Sequence, residues 1–375
     1  MNSFGENNSH KMAFTIILLV LLSLYAILFF NLPKFGRRPS NGRFEKILLT
    51  DNYKEGQFQN VSLTPDLTEG ANFYIVLKEF FFGKSKRNSP KDKIPSVKTD
   101  LKNLDPSKDV LVWFGHSSYF MQLSGKTFLV DPVFSDHASP LSFTVKAFKG
   151  TSIYRPEDMP NIDYLMISHD HWDHLDYNTV LKLKPKVKRI ITGIGTGEHF
   201  ERWNFDKNSV TELNWHEEID LGEGFKINTV PARHFSGRGF KRNQAVWLSF
   251  VLNTPKKRLY IGGDSGYDTF FKLAGEAFGP FDLAILECGQ YNKNWKYIHM
   301  LPEQTVEAAK DLKARALLPV HWGKFPLALH DWDEPIKRVS IASEKENMSL
   351  THPMIGEILD LDNLGETKKW WEGVE

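Results

Sequence analysis

The 375 residues carry 47 Lys and Arg against 46 Asp and Glu, and 41% of them are hydrophobic. That gives room for one large domain or two small ones with an ordinary core, and the near-zero net charge offers no footprint for a polyanion, so nucleic acid is not an expected partner. A single cysteine, Cys288, excludes an intrachain disulfide, which fits a reducing compartment without excluding export.

In chain order, Met12 to Phe30 comes first as an uncharged run, MAFTIILLVLLSLYAILFF, of about the length a helix needs to cross a bilayer. Leu28-Phe29-Phe30-Asn31-Leu32-Pro33 offers no small-residue cleavage site, so an uncleaved single-span anchor is expected rather than a signal peptide, with residues 1–31 as tail and anchor. Lys11 stands alone before the run, whereas Lys34, Arg37, Arg38 and Arg43 follow it, which predicts a cytoplasmic body. Residues 32–105, rich in Gly, Pro, Ser and Lys, read as a linker and an N-terminal extension packing on the domain. Within them the apolar, aromatic stretch 71–83 predicts a helix, either packed on the domain or lying among lipid headgroups.

The compact domain is expected over 106–375. Val110–Phe114, Tyr119–Leu123 and Lys126–Val130 read as a meander, and further strands are expected at Asp163–Ile167, Arg189–Thr192, Phe225–Val230, Ala245–Leu252, Arg258–Ile261 and Leu283–Leu286. Helical patterns at Tyr177–Lys184 and Pro302–Lys313 fall between them, so the fold class is α/β, sheets covered by helices.

The chemistry concentrates in Ser168-His169-Asp170-His171-Trp172-Asp173-His174-Leu175-Asp176, on the turn between an apolar strand and a helix that Asp176 can cap. Three imidazoles and a carboxylate in the pattern H-x-H-x-D-H suit a borderline-soft divalent ion far better than a solvated polar loop. His234, Asp264 and His321 each follow an apolar strand and precede Gly or small residues, where a side chain is presented with little obstruction. Singly each has a bland explanation, as a surface histidine or a turn former; their shared placement makes them candidate ligands.

His169-Asp-His-Trp-Asp-His174, followed in order by His234, Asp264 and His321, resembles the metallo-β-lactamase superfamily over roughly residues 105 to 335. Trp113–Ser118, Asp131–Phe134, Pro231–Arg238, Gly263–Tyr267 and His321–Gly323, with Asn52–Asn60 and Tyr297–Glu303, narrow the resemblance to the N-acylphosphatidylethanolamine-hydrolysing phospholipase D group. The resemblance implies a four-layer αβ/βα sandwich behind an N-terminal transmembrane helix, with two zinc ions at one sheet edge. It implies that His169, His171 and His234 hold one ion, that Asp173, His174 and His321 hold the other, and that Asp264 bridges them. It further implies a bridging hydroxide that attacks a phosphodiester, with Asp173 orienting the water and His299 contacting phosphate or protonating the leaving group. His116 and Asp131 are expected to support ligands, and Arg233 and Arg238 to attract phosphate. The expected activity is phospholipase D-type cleavage of N-acylphosphatidylethanolamine, or a related phospholipid, to N-acylethanolamine and phosphatidic acid. The alternative is a sugar-phosphate lactonase or another hydrolase of a soluble ester on the same fold. The expected partners are a phospholipid substrate and, through the N-terminal helix, the membrane; no feature of the sequence sets an oligomeric state.

Overall fold

The computed structural model describes residues 3–365 and 367–375; Met1 and Asn2, the start of the expected N-terminal tail, lie outside the described residues, as does Glu366. The chain opens with α1 (Ser3–Phe30), whose His10–Phe30 portion is long and apolar enough to cross a membrane and is not buried against the rest of the protein. The expected linker region contains α2 (Asn41–Leu48), a two-residue-per-arm hairpin of β1 (Tyr53–Lys54) and β2 (Gln57–Phe58), and α3 (Phe73–Phe82). The Asn72 side chain caps α3 by accepting from the Ile75 N–H. Arg43 of α2 is only 13% exposed, and its guanidinium reaches Glu198, Glu201 at 2.5 Å and Glu212 at 2.6 Å. One forked donor thus ties the N-terminal segment to the body.

The first half of the body contributes β3 (Val110–Trp113), β4 (Tyr119–Leu123), β5 (Lys126–Val130), β6 (Ile162–Ile167), α4 (Tyr177–Leu183), β7 (Val187–Gly193), α5 (Gly197–Arg202) and β8 (Val210–Leu213). The second half contributes β9 (Glu218–Gly222), β10 (Phe225–Pro231), β11 (Leu248–Asn253), β12 (Arg258–Ile261), α6 (Phe270–Phe278), β13 (Leu283–Glu287), α7 (Pro302–Asp311), β14 (Ala316–Val320), α8 (Glu334–Glu346), β15 (Ser349–Leu350) and β16 (Ile358–Asp360). One seven-stranded sheet runs β16-β3-β4-β5-β6-β7-β8 and the other β15-β14-β13-β12-β11-β10-β9. The pairs β5–β6, β6–β7 and β7–β8 are parallel, as are β12–β13, β13–β14 and β14–β15, and the remaining pairs in both sheets are antiparallel.

The two-residue period of a strand explains the layering. Leu111, Trp113, Met121, Phe128, Val130, Met166 and Ile191 face the second sheet and join a core with Ile227, Phe250, Leu252, Tyr260, Ile285 and Leu317. The intervening Val112, Phe120, Leu129, Leu165 and Ile190 face outward and are covered by Val180 and Leu183 of α4 and by Phe200 of α5. On the other side, Phe271 of α6, Val306 of α7 and Ile336 of α8 close the second sheet. Both faces of the central strands are therefore dry, which is why they read as continuous apolar runs. The result is the helix–sheet–sheet–helix sandwich of the metallo-β-lactamase fold.

Most elements shift by a residue or two at their ends, and two of the boundary differences have a clear local reason. Helix α4 stops at Leu183 because Pro185 follows, and Lys184–Lys186 tighten into a 3₁₀ turn. The strand expected from Ala245 starts only at Leu248, since the Val246 N–H turns to the Ile194 carbonyl of the other sheet at 2.9 Å. That crossing needs Gly193, where a Cβ would lie 2.2 Å from the Val246 oxygen.

Candidate metal centre

Chain direction sets the site. Strands β3, β5 and β6 in one sheet and β10, β12, β13 and β14 in the other all end at the same edge, and each is followed by a chemistry-bearing residue: His116, Asp131, the 168–176 loop, His234, Asp264, Glu287 at the end of β13 itself, and His321. The two edges are stitched by main-chain bonds, His116 N–H to the Trp322 carbonyl at 2.9 Å and His321 N–H to the His116 carbonyl at 3.0 Å. His116, Asp131 and His321 all have left-handed backbones, with φ of 56°, 42° and 68°. Such conformations carry strain of about 1–3 kcal/mol each, and here they turn the side chains inward.

Three imidazole nitrogens meet at one point. His169 Nε2 lies 2.9 Å from His171 Nδ1, which lies 3.1 Å from His234 Nε2. The protons of the outer two rings are committed elsewhere: His234 Nδ1 faces the Ile298 carbonyl at 3.0 Å, and His169 Nδ1 faces Ser168 Oγ at 3.0 Å, whose own hydrogen goes to Asp131 at 2.6 Å. Both Nε2 atoms are therefore bare lone pairs, and one hydrogen on His171 cannot serve two acceptors. A shared cation resolves that conflict.

The second group lies against the first. His174 Nδ1 donates to Asp131 at 2.8 Å, and its Nε2 faces Asp264 Oδ2 at 3.1 Å and Asp173 Oδ2 at 3.5 Å. His321 Nδ1 is 3.1 Å from Asp264 Oδ1, and His116 Nε2 pairs with Asp173 at 2.9 Å. Asp264 also reaches the first group, 3.8 Å from His169 and 3.7 Å from His234. The buried Nε2 atoms of His171 and His174 and the Oδ1 of Asp264 have no aligned hydrogen-bond partner. Every residue of the sequence-derived ligand set converges here, in overlapping groups of donor atoms of the sizes that cation sites take.

The electrostatics of all these rings but His174 agree with that chemistry. Burial holds His169, His234 and His321 well below the ordinary imidazole range and pushes His171 and His116 down to about 4, so these rings are neutral at pH 7, the form that binds metal. His174 goes the other way: burial opposes its charge, but Asp264, Asp173 and Asp131 outweigh it and lift the ring well above the usual value. Burial raises Asp264 to about 6.

A cavity of about 300 Å³ opens onto this centre, with His171, Asp264 and His299 at its floor and Phe235, Arg242 and Trp295 in its walls. His299 donates or accepts at Nδ1 with Glu287 Oε2 at 2.6 Å, and its ring stacks on His321. Three features of this site were missed from sequence. Glu287 is one, although a carboxylate ending the apolar run Leu283-Ala-Ile-Leu is itself a signal of a buried, engaged charge. His116 lies close enough to Asp173, His174 and His321 to form a donor group with them, beyond supporting a ligand. Arg242 is the third, the single Lys or Arg among the residues lining this cavity. Arg233 and Arg238 do not line it: Arg233 is tied to Thr64 and Leu63, and Arg238 is buried against Trp172.

Behind the second group lies a buried cation, Lys324, bonded to the Val133 carbonyl at 2.8 Å and pulled by burial from 10.5 down to about 8. Above pH 8 the unfolded chain holds this proton while the folded one has released it. Stability therefore rises between pH 8 and 10.5, by about 3 kcal/mol from this group. Urea unfolding at both ends of that window measures the slope, and Lys324→Met should flatten it.

The sequence profile of the beta-lactamase superfamily domain matches residues 126–322. A Mycobacterium tuberculosis protein of uncharacterized function is 34% identical over 324 residues, covering 85% of this chain and 87% of its own. N-acyl-phosphatidylethanolamine-hydrolyzing phospholipase D 1 of Caenorhabditis elegans is 33% identical over 327 residues, 80% of this chain and 86% of its own. This chain belongs to the beta-lactamase superfamily. Among solved structures, the metallo hydrolase Igni18 of Ignicoccus hospitalis aligns with a TM-score of 0.51 at 21% identity, over 67% of this chain and 97% of its own, which speaks for the fold alone. Within the superfamily the chain is a metal-dependent hydrolase: a protein of Pyrobaculum aerophilum named a metal-dependent hydrolase is 28% identical over 233 residues, 62% of this chain and 92% of its own.

Proposed function

We propose that this metallo-β-lactamase-fold enzyme is a membrane-anchored phosphodiesterase that cleaves N-acylphosphatidylethanolamine, or a closely related phospholipid, with water to N-acylethanolamine and phosphatidic acid. The observation that carries the lipid reading is α3. It exposes Phe73 (74%) and Tyr74 (75%), and it is held through Glu79 to Asn294 at 2.6 Å and Lys293 at 3.0 Å, the turn that supplies Trp295 to the cavity wall. An aromatic face beside the cavity mouth suits a substrate lifted from a bilayer. The uncharged run Met12–Phe30 of α1 supports the same reading by holding the domain at a membrane, with the body on the cytoplasmic side by its flanking charges.

His169, His171 and His234 would hold one zinc ion and Asp173, His174 and His321 a second, with Asp264 between them. Bound there, two such ions acidify a water and neutralise charge building on a phosphoryl group. The chain's own groups do the rest. Arg242 supplies a guanidinium for the phosphodiester anion at the mouth. Asp173, paired to His116, orients the attacking water and takes its proton. His299, backed by Glu287, whose acidity burial suppresses, delivers a proton to the departing ethanolamide oxygen. His299→Ala should lower turnover on the order of 10²-fold with unchanged metal content; lost metal would instead place His299 among the ligands.

The direct test is mass-spectrometric product analysis of a lipid extract containing N-acylphosphatidylethanolamine after incubation with zinc-loaded protein. N-acylethanolamine and phosphatidic acid, absent with Asp264→Ala, are the expected products. No lipid turnover by protein holding two ions would move the substrate to a soluble ester.

A further inference from the structure

A second hollow, of about 510 Å³, lies at the foot of α1, away from the catalytic cavity. The end of the helix at Phe30, the segment after it from Phe35 to Ser40, the back of the metal-binding loop at Asp170, and the loop 237–241 form its walls. Most polar groups there are engaged. Arg37 pairs with Glu198 at 2.7 Å, Arg202 donates to the carbonyls of Gly36 and Asn31, and Asp170 is occupied by His199 Nε2 at 3.0 Å and the Gly237 N–H at 2.7 Å. Two cations are not engaged: Arg38 and Lys241 are exposed at the rim and form no ion pair among the described residues.

The wall itself holds an unanswered donor. Arg238 is only 4% exposed, with its guanidinium 3.9 Å from the Trp172 ring. Its Nε donates to the Lys34 carbonyl at 3.0 Å, and its Nη1 to the carbonyls of Asp170 at 2.8 Å and Leu175 at 2.7 Å, but Nη2 has no acceptor. A buried guanidinium with one N–H unanswered keeps an uncompensated positive charge in the wall, which favours an anion in the hollow. Next to these cations lies an apolar lip: Phe240 is 84% exposed, and its ring sits 4.4 Å from that of Phe30.

We propose that this hollow binds the phosphate group of an anionic phospholipid, held by Arg38 and Lys241 at the rim with the buried Arg238 adding positive charge behind the wall, and with its acyl chains running past Phe30 and Phe240 along α1. The lip and the position at the helix end argue for a lipid phosphate over a free one. This rests on α1 lying in a bilayer, not on which substrate is hydrolysed. A lipid seated there would fix the rotation of the domain about its anchor, and hence where the catalytic mouth faces.

The test titrates the full chain in detergent with dihexanoyl phosphatidic acid, followed by tryptophan fluorescence from Trp172 and Trp203, which flank Arg238. Dihexanoyl phosphatidylcholine and inorganic phosphate are titrated in parallel. Saturable binding of the acid, weakened tenfold or more by Arg38→Ser with Lys241→Ser, is the expected result. Unchanged affinity in that double variant, or equal affinity for the zwitterionic lipid, would overturn the proposal. Inorganic phosphate binding as tightly as the lipid would also overturn it, making this a site for the free anion. The double variant should keep wild-type metal content and melting temperature, because both residues are exposed. The readout is binding, so a wrong catalytic substrate would leave the outcome intact.

Discussion

Asp264→Ala should abolish turnover, by on the order of 10³-fold, while the protein stays folded. Its carboxylate faces both clusters: one oxygen lies 3.1 Å from His174 and 3.8 and 3.7 Å from His169 and His234, and the other lies 3.1 Å from His321. Four imidazoles therefore lose their common anion in a single substitution. His174, lifted largely by Asp264 against its burial, should then lose much of its basicity. The fold has little reason to fail, because Asp264 follows β12 in a tight Gly262-Gly263 turn and contributes no apolar contact. The checks are metal content by plasma mass spectrometry, circular dichroism and turnover. Near-normal activity with two bound ions would show that the carboxylate is not the shared ligand.

Gly266→Ala should be the most damaging single-methyl change near the site, destabilising the fold by about 3 kcal/mol. A Cβ there would sit 1.8 Å from the Tyr297 carbonyl oxygen, a backbone atom that cannot rotate away. The Gly266 N–H also donates to the Arg233 carbonyl at 2.9 Å, so the turn is held from the other side. Relief has to come from moving 297–300, which carries His299 and the Met300 N–H that donates to Glu287 at 2.9 Å. The variant should accordingly lose turnover as well as stability, because the same segment also supplies the Ile298 carbonyl that faces His234 Nδ1. Denaturant unfolding with an unchanged m-value separates this strain from altered compactness. A variant as stable and active as the parent would show that the 266–297 approach leaves room for a methyl group.

The sequence alone determined most of the central strands, the apolar N-terminal run and the ligand types, because each is a local property. Strand periodicity appears in a window of a few residues, and H-x-H-x-D-H is compressed into six positions of one loop. The family resemblance carried the rest of the expected fold and the order of the distant ligands. Helices α2, α5, α6 and α8 and strands β1, β2, β8, β9, β15 and β16 were not anticipated, since short amphipathic segments gain most of their stability from the faces they cover.

Only the tertiary structure decided which charges share a cavity. Arg233, Arg238 and Arg242 look alike in the chain, yet one is pinned to Leu63 and Thr64, one is buried against Trp172 and one lines the catalytic mouth. Glu287 and His299 are twelve residues apart in sequence and 2.6 Å apart in space. Arg43 likewise finds its carboxylates more than 150 positions downstream. Sequence sets which donors and acceptors exist. Their pairing depends on two sheets closing at one edge, and that closure is driven by apolar burial on the far sides of the same strands.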